Sequence, residues 1–182
     1  ESEEFPWQNM KGLGSLGLLG LTVDPEYGGG GGGYGQVAIV AEEIARACPA
    51  TSTVYLAHLS LTVRSILHLG AERHKRRYVP PLLSGEKIGA FALTEAGAGS
   101  DAANLQTTAV KKDGYYVVNG NKLFITNGDV ADTFVVFATQ DKSLGSKGIS
   151  AFVVEKGTKG LSANKQNGKM GMRASSTAEL IF

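Results

Sequence analysis

One stretch of the chain combines an apolar run, a glycine-rich turn and polar side chains at close spacing. It reads Phe-Ala-Leu-Thr-Glu-Ala-Gly-Ala-Gly-Ser-Asp and occupies residues 91–101. The apolar start predicts a β-strand, and the glycines predict a loop, because glycine leaves the backbone too free to continue regular structure. A strand that ends in small residues lets a ligand approach the backbone closely. Phe91, Leu93 and Thr94 could then form a slot for a planar ring system, and Ser100 could bind a pyrophosphate.

A second stretch with chemical potential follows at residues 119–128, Asn-Gly-Asn-Lys-Leu-Phe-Ile-Thr-Asn-Gly. Its apolar and polar residues are typical of a strand, and Asn119-Gly120 is a strong signal for a tight β-turn. We therefore predict a β-hairpin whose strands are Tyr115–Val118 and Lys122–Thr126. On one of these strands, Phe124 offers a flat apolar surface and Thr126 offers a hydroxyl donor.

The two stretches, in this order and at this spacing, resemble the signatures of the flavin-dependent acyl-CoA dehydrogenases. The first signature usually reads Thr-Glu-Pro-x-(Ala/Ser)-Gly-Ser-Asp, and Ala96 stands where proline is usual. The resemblance extends from Leu16 to Phe182. It implies FAD as the cofactor and α,β-dehydrogenation of an acyl-CoA thioester, in which a carboxylate removes the α-proton and a hydride passes to flavin N5. Such enzymes serve fatty acid or organic acid catabolism.

The resemblance also implies which residues hold FAD. Phe91 and the Leu93–Thr94 backbone would lie at the ring edge, and Ser100 would lie at the pyrophosphate and near the acyl-CoA. Phe124 would cover the flavin face away from substrate, and Thr126 would direct its hydroxyl towards N5. The complete predicted set of cofactor-binding residues is Phe91, Ala92, Leu93, Thr94, Gly99, Ser100, Phe124, Ile125 and Thr126, with Ser100 also predicted to bind substrate.

No catalytic residue is predicted in this chain. In the family, the base that removes the α-proton is a glutamate in a C-terminal helical domain, and this sequence stops before such a domain. We therefore expect a fragment that lacks the C-terminal helical bundle. Glu95 lies in the first signature, but the resemblance assigns it to the scaffold and not to proton transfer.

Several functions stay open on the sequence alone. The dehydrogenase is one, and a related acyl-CoA oxidase or flavin monooxygenase on the same scaffold is another. The third is a non-catalytic subunit that binds flavin or acyl-CoA, which a native end near Phe182 would favour. The family further implies a homotetramer and an electron-transfer flavoprotein, or a similar acceptor, as partner. Arg64, in an apolar helix, either recognises an anionic acyl end or lies at a partly exposed helix face.

Composition narrows the remaining classes of function and location. The chain has 182 residues and a formal net charge of +1, which argues against a nucleic-acid-binding surface. The single cysteine, Cys48, excludes an internal disulfide framework, and together with the resemblance it favours a prokaryotic cytoplasm or the mitochondrial matrix. The three histidines show no metal-ligand spacing, so we expect no metal site. The most apolar stretch, Ala50–Val63, is shorter than the roughly 20 residues that span a bilayer, so we expect no membrane span.

Two other glycine-rich stretches match phosphate-binding motifs only superficially. Residues 12–17 fit the pattern GxGxxG, but no convincing strand precedes them. The glycine run at residues 28–33 lacks the Gly-Lys-Ser/Thr ending of a P-loop. We assign neither stretch to a cofactor.

The elements that position the two signatures fall into two halves, which predict an α+β fold. Residues 1–87 read as an N-terminal all-α domain, with helices at residues 36–47, from 51 to 70, and from 72 until Pro80-Pro81 breaks the pattern. Residues 88–182 read as a middle domain, an antiparallel β-barrel or β-sandwich that is incomplete at its C-terminal end.

Overall fold

A computed structural model describes residues 3–182 as a helical half followed by a β half. The helices are α1 (Trp7–Ser15), α2 (Tyr34–Ala47), α3 (Pro49–Leu56), α4 (Arg64–Leu69) and α5 (Glu72–Leu83). A π-helical segment, Ala57–Val63, joins α3 to α4 without a break. The last helix ends at Leu83 and the first strand begins at Gly89. The domain boundary between residues 87 and 88 stays a prediction.

The prediction that Pro80-Pro81 ends a helix was wrong, because α5 continues through both prolines to Leu83. Proline cannot donate the usual backbone hydrogen bond, which leaves the carbonyls four residues earlier without that partner. Those carbonyls belong to Arg76 and Arg77, whose side chains are exposed, so water can reach this side of the helix. On the same helix, Val79, Leu82 and Leu83 are buried. This burial offsets the loss and carries the helix one further turn.

The first sheet is mixed in direction. Its strands are β1 (Gly89–Ala92), β2 (Thr108–Lys112), β3 (Tyr115–Asn119), β5 (Thr133–Thr139) and β6 (Ile149–Glu155). The central strand β5 pairs in parallel with β1 and antiparallel with β6. Strand β2 joins the end of β5 through the pair Thr108 and Thr139, and it pairs antiparallel with β3.

The second sheet is antiparallel and has the order β4-β8-β7, with β4 (Asn121–Thr126), β7 (Ser162–Lys165) and β8 (Thr177–Ile181). Buried side chains from both sheets, from α5 and from the π-helical segment belong to one hydrophobic core cluster. The predicted α+β class is therefore confirmed, and the β half is a two-sheet structure whose larger sheet also contains parallel pairs.

The predicted hairpin at Asn119-Gly120 was wrong. Strands β3 and β4 belong to different sheets, and the chain crosses between them at Gly120. A single residue between two strands is too short for a two-residue turn. The hairpin instead closes at Asp113-Gly114, both with positive φ, and it joins β2 to β3. Gly120 is required at the crossing because a Cβ there would lie 2.4 Å from Thr107 Oγ1.

The first strand packs directly on the helical half. The backbone N–H of Gly89 donates to Nδ1 of the fully buried His58 (3.1 Å), whose Nε2 lies 2.9 Å from the Leu82 carbonyl oxygen. Because Nδ1 accepts, Nε2 must carry the proton and donate to Leu82. His58 thus links the end of α5 to the beginning of β1. Burial lowers the pKa of His58 to about 4, so the ring is neutral near pH 7.

Candidate functional site

The structure places the two signature stretches side by side, at the edge where the two sheets meet. The backbone N–H of Leu123 donates to the Thr94 carbonyl (2.8 Å), and Lys122 Nζ donates to the Leu93 carbonyl (3.0 Å). At the other end of β1, Asn127 Nδ2 donates to the Gly89 carbonyl (3.0 Å). These bonds make β4 run antiparallel along β1 and its continuation.

This arrangement brings Thr94 and Thr126 within reach of one ligand. Thr94 is bonded to Leu123, and Thr126 lies three residues further along β4. A regular strand rises about 3.3 Å per residue and the register shift between Lys122 and Ile125 shortens this rise, so the two threonines are at most roughly 10 Å apart along the strand. A planar three-ring molecule can bridge such a span.

The strand part of the first stretch has two different faces. The Phe91 ring packs against Phe137 with 5.0 Å between ring centroids, and Leu93 borders a cavity of about 540 Å³. Ala92 points the other way and is fully buried, so only its backbone could meet a ligand. The cavity lies in the size range of small-molecule sites and is lined mainly by apolar side chains.

The loop part of the first stretch is open. The backbone of Glu95 exchanges two hydrogen bonds with Ala98, both 3.1 Å, which forms a tight turn. Beside the turn, a Cβ on Gly97 or Gly99 would meet nothing within 4 Å. Ser100 is exposed and forms no hydrogen bond to another described residue. Small residues and an available hydroxyl fit a site for a bulky polar group.

Phe124 has a conformation that the sequence did not reveal. Its φ is 59°, a left-handed value that is strained for a bulky residue, and its side chain is 62% exposed. It lies in a β-bulge, because Lys122 pairs with Leu180 whereas Ile125 pairs with Ala178. Strained backbone occurs preferentially at functional sites. An aromatic ring held in solvent at such a point is consistent with a stacking surface for a ligand.

The bulge also decides which side chains of β4 are available. Simple alternation along a strand would place Lys122, Phe124 and Thr126 on one face. The extra residue instead buries Lys122 and Ile125 and leaves Phe124 exposed and Thr126 half-buried. Ile125 can therefore contribute only its backbone to a ligand.

A buried ion pair joins the two stretches. Lys122 Nζ lies 2.7 Å from Glu95 Oε1, and neither side chain is more than 8% exposed. The same carboxylate accepts the backbone N–H groups of Gln106 (2.6 Å) and Thr107 (2.9 Å). Burial alone would raise the pKa of Glu95, but the hydrogen bonds from Lys122, Thr107 and Gln106 outweigh it and lower this pKa to about 2.

Glu95 is therefore a charged anchor, which agrees with its assignment to the scaffold. Lys122 was missed by sequence reasoning. The signal that could have found it is a lysine inside an otherwise strand-like run, where a charge is unusual unless it is paired.

A larger cleft of about 710 Å³ lies elsewhere, between Tyr78, the β3 strand and the segment 158–161. None of the predicted site residues borders it. We place the candidate site at the β1–β4 edge because the two stretches that carry the open loop and the strained Phe124 meet there, and the cavity borders the first stretch at Leu93.

Arg64 contacts only the helical half. It donates to the Thr22 carbonyl (3.1 Å), approaches His68 Nε2 (2.7 Å) and stacks over the Tyr34 ring, 5.5 Å from its centroid. None of these partners is a carboxylate, and the buried Nε has no hydrogen-bond partner among the described residues. Because these contacts all lie in the helical half, we assign Arg64 no part at the β1–β4 edge.

Two further features are absent from residues 3–182. No helix among these residues has both the length and the apolar character to cross a bilayer. No group of three or more metal-ligating side chains comes together in this part of the chain.

Comparison with known proteins finds similar sequences along nearly the whole chain. Residues 1–86 match the model of the acyl-CoA dehydrogenase N-terminal domain, and residues 90–182 match that of the middle domain. A short-chain-specific acyl-CoA dehydrogenase of Clostridium acetobutylicum is 50% identical over 182 residues, which are all of this chain and 48% of that protein. The mitochondrial isovaleryl-CoA dehydrogenase of Pongo abelii is 47% identical over 94% of this chain and 41% of its own length. The chain thus spans about half the length of the relatives it matches.

Solved structures give the same result. A chain in a structure of the electron transferring flavoprotein of Acidaminococcus fermentans aligns with a TM-score of 0.95 at 42% identity, over 100% of this chain and 48% of that one. Butyryl-CoA dehydrogenase from Megasphaera elsdenii aligns at 0.91 and 40% identity, over 99% and 48%. An acyl-CoA dehydrogenase from Bacillus anthracis complexed with FAD aligns at 0.87 and 42% identity, over 96% and 30%.

Proposed function

Because the chain belongs to the acyl-CoA dehydrogenase family, we propose that it supplies the FAD site and part of the acyl-CoA site of an enzyme that converts an acyl-CoA thioester to the 2-enoyl-CoA. The observation that supports this proposal most strongly is the contact of β4 with the end of β1, through the bonds of Leu123 to Thr94 and of Lys122 to Leu93. It brings an open glycine loop and a strained, exposed aromatic ring to one edge, although 23 positions separate Asp101 from Phe124 in the sequence.

The residues present fit FAD. Phe124 offers an apolar surface for one face of the ring system, and the Leu93–Thr94 backbone would lie at the edge of that ring system. Ser100 and the glycines beside it leave space and a hydroxyl for a pyrophosphate. A flavin site needs an apolar slot and a few directed polar groups more than it needs charge. The edge between β1 and β4 has that composition.

Bound FAD would accept the hydride that leaves the β-carbon of the acyl group. The chain's own contribution is to bind, orient and exclude water. Thr126 would hold its hydroxyl hydrogen towards the ring atom that receives negative charge, which lowers the barrier when the donor is already in place. The 540 Å³ cavity beside Leu93 and Phe137 would hold part of the thioester against its mainly apolar lining.

The base that removes the α-proton is not among the residues assigned here. Glu95 is held as a carboxylate by Lys122 and two backbone N–H groups, so it is committed to structure. The base would come from sequence outside the chain, as the resemblance implies. A tetramer and an electron-transfer flavoprotein as acceptor belong to the same proposal, and so does a location in a prokaryotic cytoplasm or the mitochondrial matrix. The match to a chain in the Acidaminococcus fermentans structure supports the acceptor.

The test uses the complete product of the gene that encodes this chain. Purified protein should be yellow with bound FAD, and anaerobic addition of a short-chain acyl-CoA should bleach the flavin. In Thr126→Val, bleaching should slow by roughly a hundredfold, the order expected for one preorganised donor, with little loss of FAD. Thr126→Ser keeps the hydroxyl and serves as the matched control.

Two results would contradict the proposal. A colourless protein that takes up no added FAD would show that FAD is not its cofactor. Equal losses of FAD affinity and bleaching rate in Thr126→Val would assign the hydroxyl to binding alone.

A further inference from the structure

The ion pair between Lys122 and Glu95 fastens three segments that the candidate site needs in register. Glu95 ends the strand part of the first stretch, and its carboxylate binds the backbone of Gln106 and Thr107, where β2 approaches. Lys122 belongs to β4. The glycine loop between residues 96 and 104 is thus closed at its two ends by one carboxylate, and β4 is tied to the same point by one ammonium group.

Lys122 has a second contact that a simple ion pair does not require. Its Nζ donates to the Leu93 carbonyl oxygen at 3.0 Å as well as to Glu95 at 2.7 Å. The Leu93 carbonyl and the Thr94 N–H belong to one planar trans peptide group, so they point in opposite directions. Holding the carbonyl on the β4 side therefore directs the Thr94 N–H away from Lys122.

The ammonium group also polarises this peptide. A hydrogen bond from a charged donor is stronger than a neutral one, and hydrogen bonds in series strengthen one another in a low-dielectric interior. Lys122 is fully buried, so solvent weakens this effect little. The Thr94 N–H becomes a better donor in consequence.

We propose that Lys122 and Glu95 are positioning residues of the FAD site, which set the distance between the Leu93–Thr94 backbone and the Phe124–Thr126 strand and strengthen the Thr94 N–H as a donor to the flavin edge. The inference rests on the proposed FAD site. Neither side chain needs to touch the cofactor.

The chain offers a control pair at the opposite end of β1, although this pair is more exposed, at 46% for Lys87 and 25% for Asp132. Lys87 and Asp132 also form a lysine–carboxylate pair (3.5 Å), and Asp132 accepts the backbone N–H of Ile88 at 3.0 Å. This pair ties β1 to the residue before β5 in the way that Lys122 and Glu95 tie its other end. It lies outside the candidate site.

The experiment compares two double variants of the complete gene product, Glu95→Gln/Lys122→Met and Lys87→Met/Asp132→Asn. Each removes both charges, so no unpaired buried charge remains. Three quantities are measured: the thermal midpoint of the apoprotein, the FAD dissociation constant, and the visible absorption spectrum of bound FAD. We expect the first variant to bind FAD at least tenfold more weakly and to shift the flavin absorption maxima. The control should keep wild-type affinity and spectrum even if its midpoint falls as far.

The outcomes separate the two proposals. Wild-type protein that binds no FAD would refute the proposed function. Wild-type protein that binds FAD, beside a Glu95→Gln/Lys122→Met variant with unchanged affinity and spectrum, would overturn only this inference. If that double variant does not fold, Lys122→Arg is measured in its place, because it keeps the positive charge on a side chain of different length and shape. Unchanged FAD affinity and spectrum in Lys122→Arg, or a failure of both variants to fold with or without FAD, would assign the pair to general stability and overturn its positioning role.

Discussion

Phe124 shows how a single residue can mark a site before any ligand is seen. A left-handed conformation costs an L-residue roughly 1–2 kcal/mol, and glycine would avoid that cost. The chain keeps a phenylalanine there and leaves its ring 62% exposed. Neither choice favours folding, and stacking on the proposed flavin would explain both.

Replacing Phe124 by glycine should therefore change stability and binding in opposite directions. The free energy of unfolding of the apoprotein should stay equal or rise by up to about 1 kcal/mol, because the left-handed backbone is no longer strained. FAD should bind roughly 10- to 100-fold more weakly, because an aromatic surface worth about 1.5–3 kcal/mol on burial is lost. Chemical denaturation and FAD titration measure the two effects.

Phe124→Trp is the control for this prediction, since it keeps both the strain and a stacking surface. It should retain FAD at wild-type affinity or better. A Phe124→Gly variant that loses stability and keeps its FAD affinity would show that the ring only packs within the fold.

At the scale of elements, the contact between the π-helical segment and β1 holds the two halves together. A π-helical segment widens a helix by one residue per turn and often accompanies a special contact. Here it carries His58 and Thr62, which both meet Gly89. A Cβ on Gly89 would lie 2.6 Å from Thr62 Cγ2, so the close approach depends on glycine.

Gly89→Ala should consequently destabilise the protein by about 1–3 kcal/mol, the usual cost of overpacking a filled core. Gly97→Ala is the matched control, because a Cβ there meets nothing within 4 Å. It should change stability by less than about 0.5 kcal/mol. Urea unfolding of both variants measures the difference, and equal stabilities would mean that the Thr62 side chain moves aside without cost.

Element by element, the sequence predicted where helices and strands occur better than how they connect. Asn119-Gly120 and Asp113-Gly114 are both good hairpin dipeptides, and only the second forms a hairpin. The first lies where the chain changes sheets, which depends on the close approach of Gly120 to Thr107, a contact distant along the chain. Pro80-Pro81 likewise reads as a helix end locally, but burial of apolar side chains on α5 carries the helix on.

At the scale of the whole molecule, the sequence predicted the fold class, and it singled out the two stretches that the structure brings together, whose part in a cofactor site stays a prediction. It could not predict how that site is assembled. The regular alternation of side chains along a strand does not predict that Lys122 is buried, because the bulge after it changes which side chains face inward. The same bulge sets the backbone of Phe124. Such features depend on the pairing of β4 with β8 and on the partner of Glu95, which no local pattern contains.

Two buried titratable groups make the stability of the whole molecule depend on pH in separate ranges. His58, linked to both halves, has its pKa lowered by burial to about 4 from an ordinary value of 6.5. Glu95, in spite of burial, has its pKa lowered by its hydrogen bonds to about 2 from 4.5. In both cases the unfolded chain binds protons more readily than the folded one. Stability is therefore complete above the unfolded pKa and is lost as the pH falls towards the folded pKa.

The two pH ranges adjoin, and a substitution of His58 should change the pH dependence of stability in the upper range. Between pH 6.5 and 4.5, His58 should contribute a slope of about 1.4 kcal/mol per pH unit to the free energy of unfolding. His58→Gln removes the titrating ring and keeps hydrogen-bonding groups near Gly89 and Leu82, so its slope should be lower by about that amount. Below pH 4 the difference between the two slopes should shrink towards zero as the folded ring is protonated, while Glu95 titrates in both proteins. Denaturant unfolding at half-unit steps from pH 7 to pH 3 measures the slopes. Identical slopes above pH 4.5 would mean that His58 is protonated in the folded protein, contrary to its bond from the Gly89 N–H.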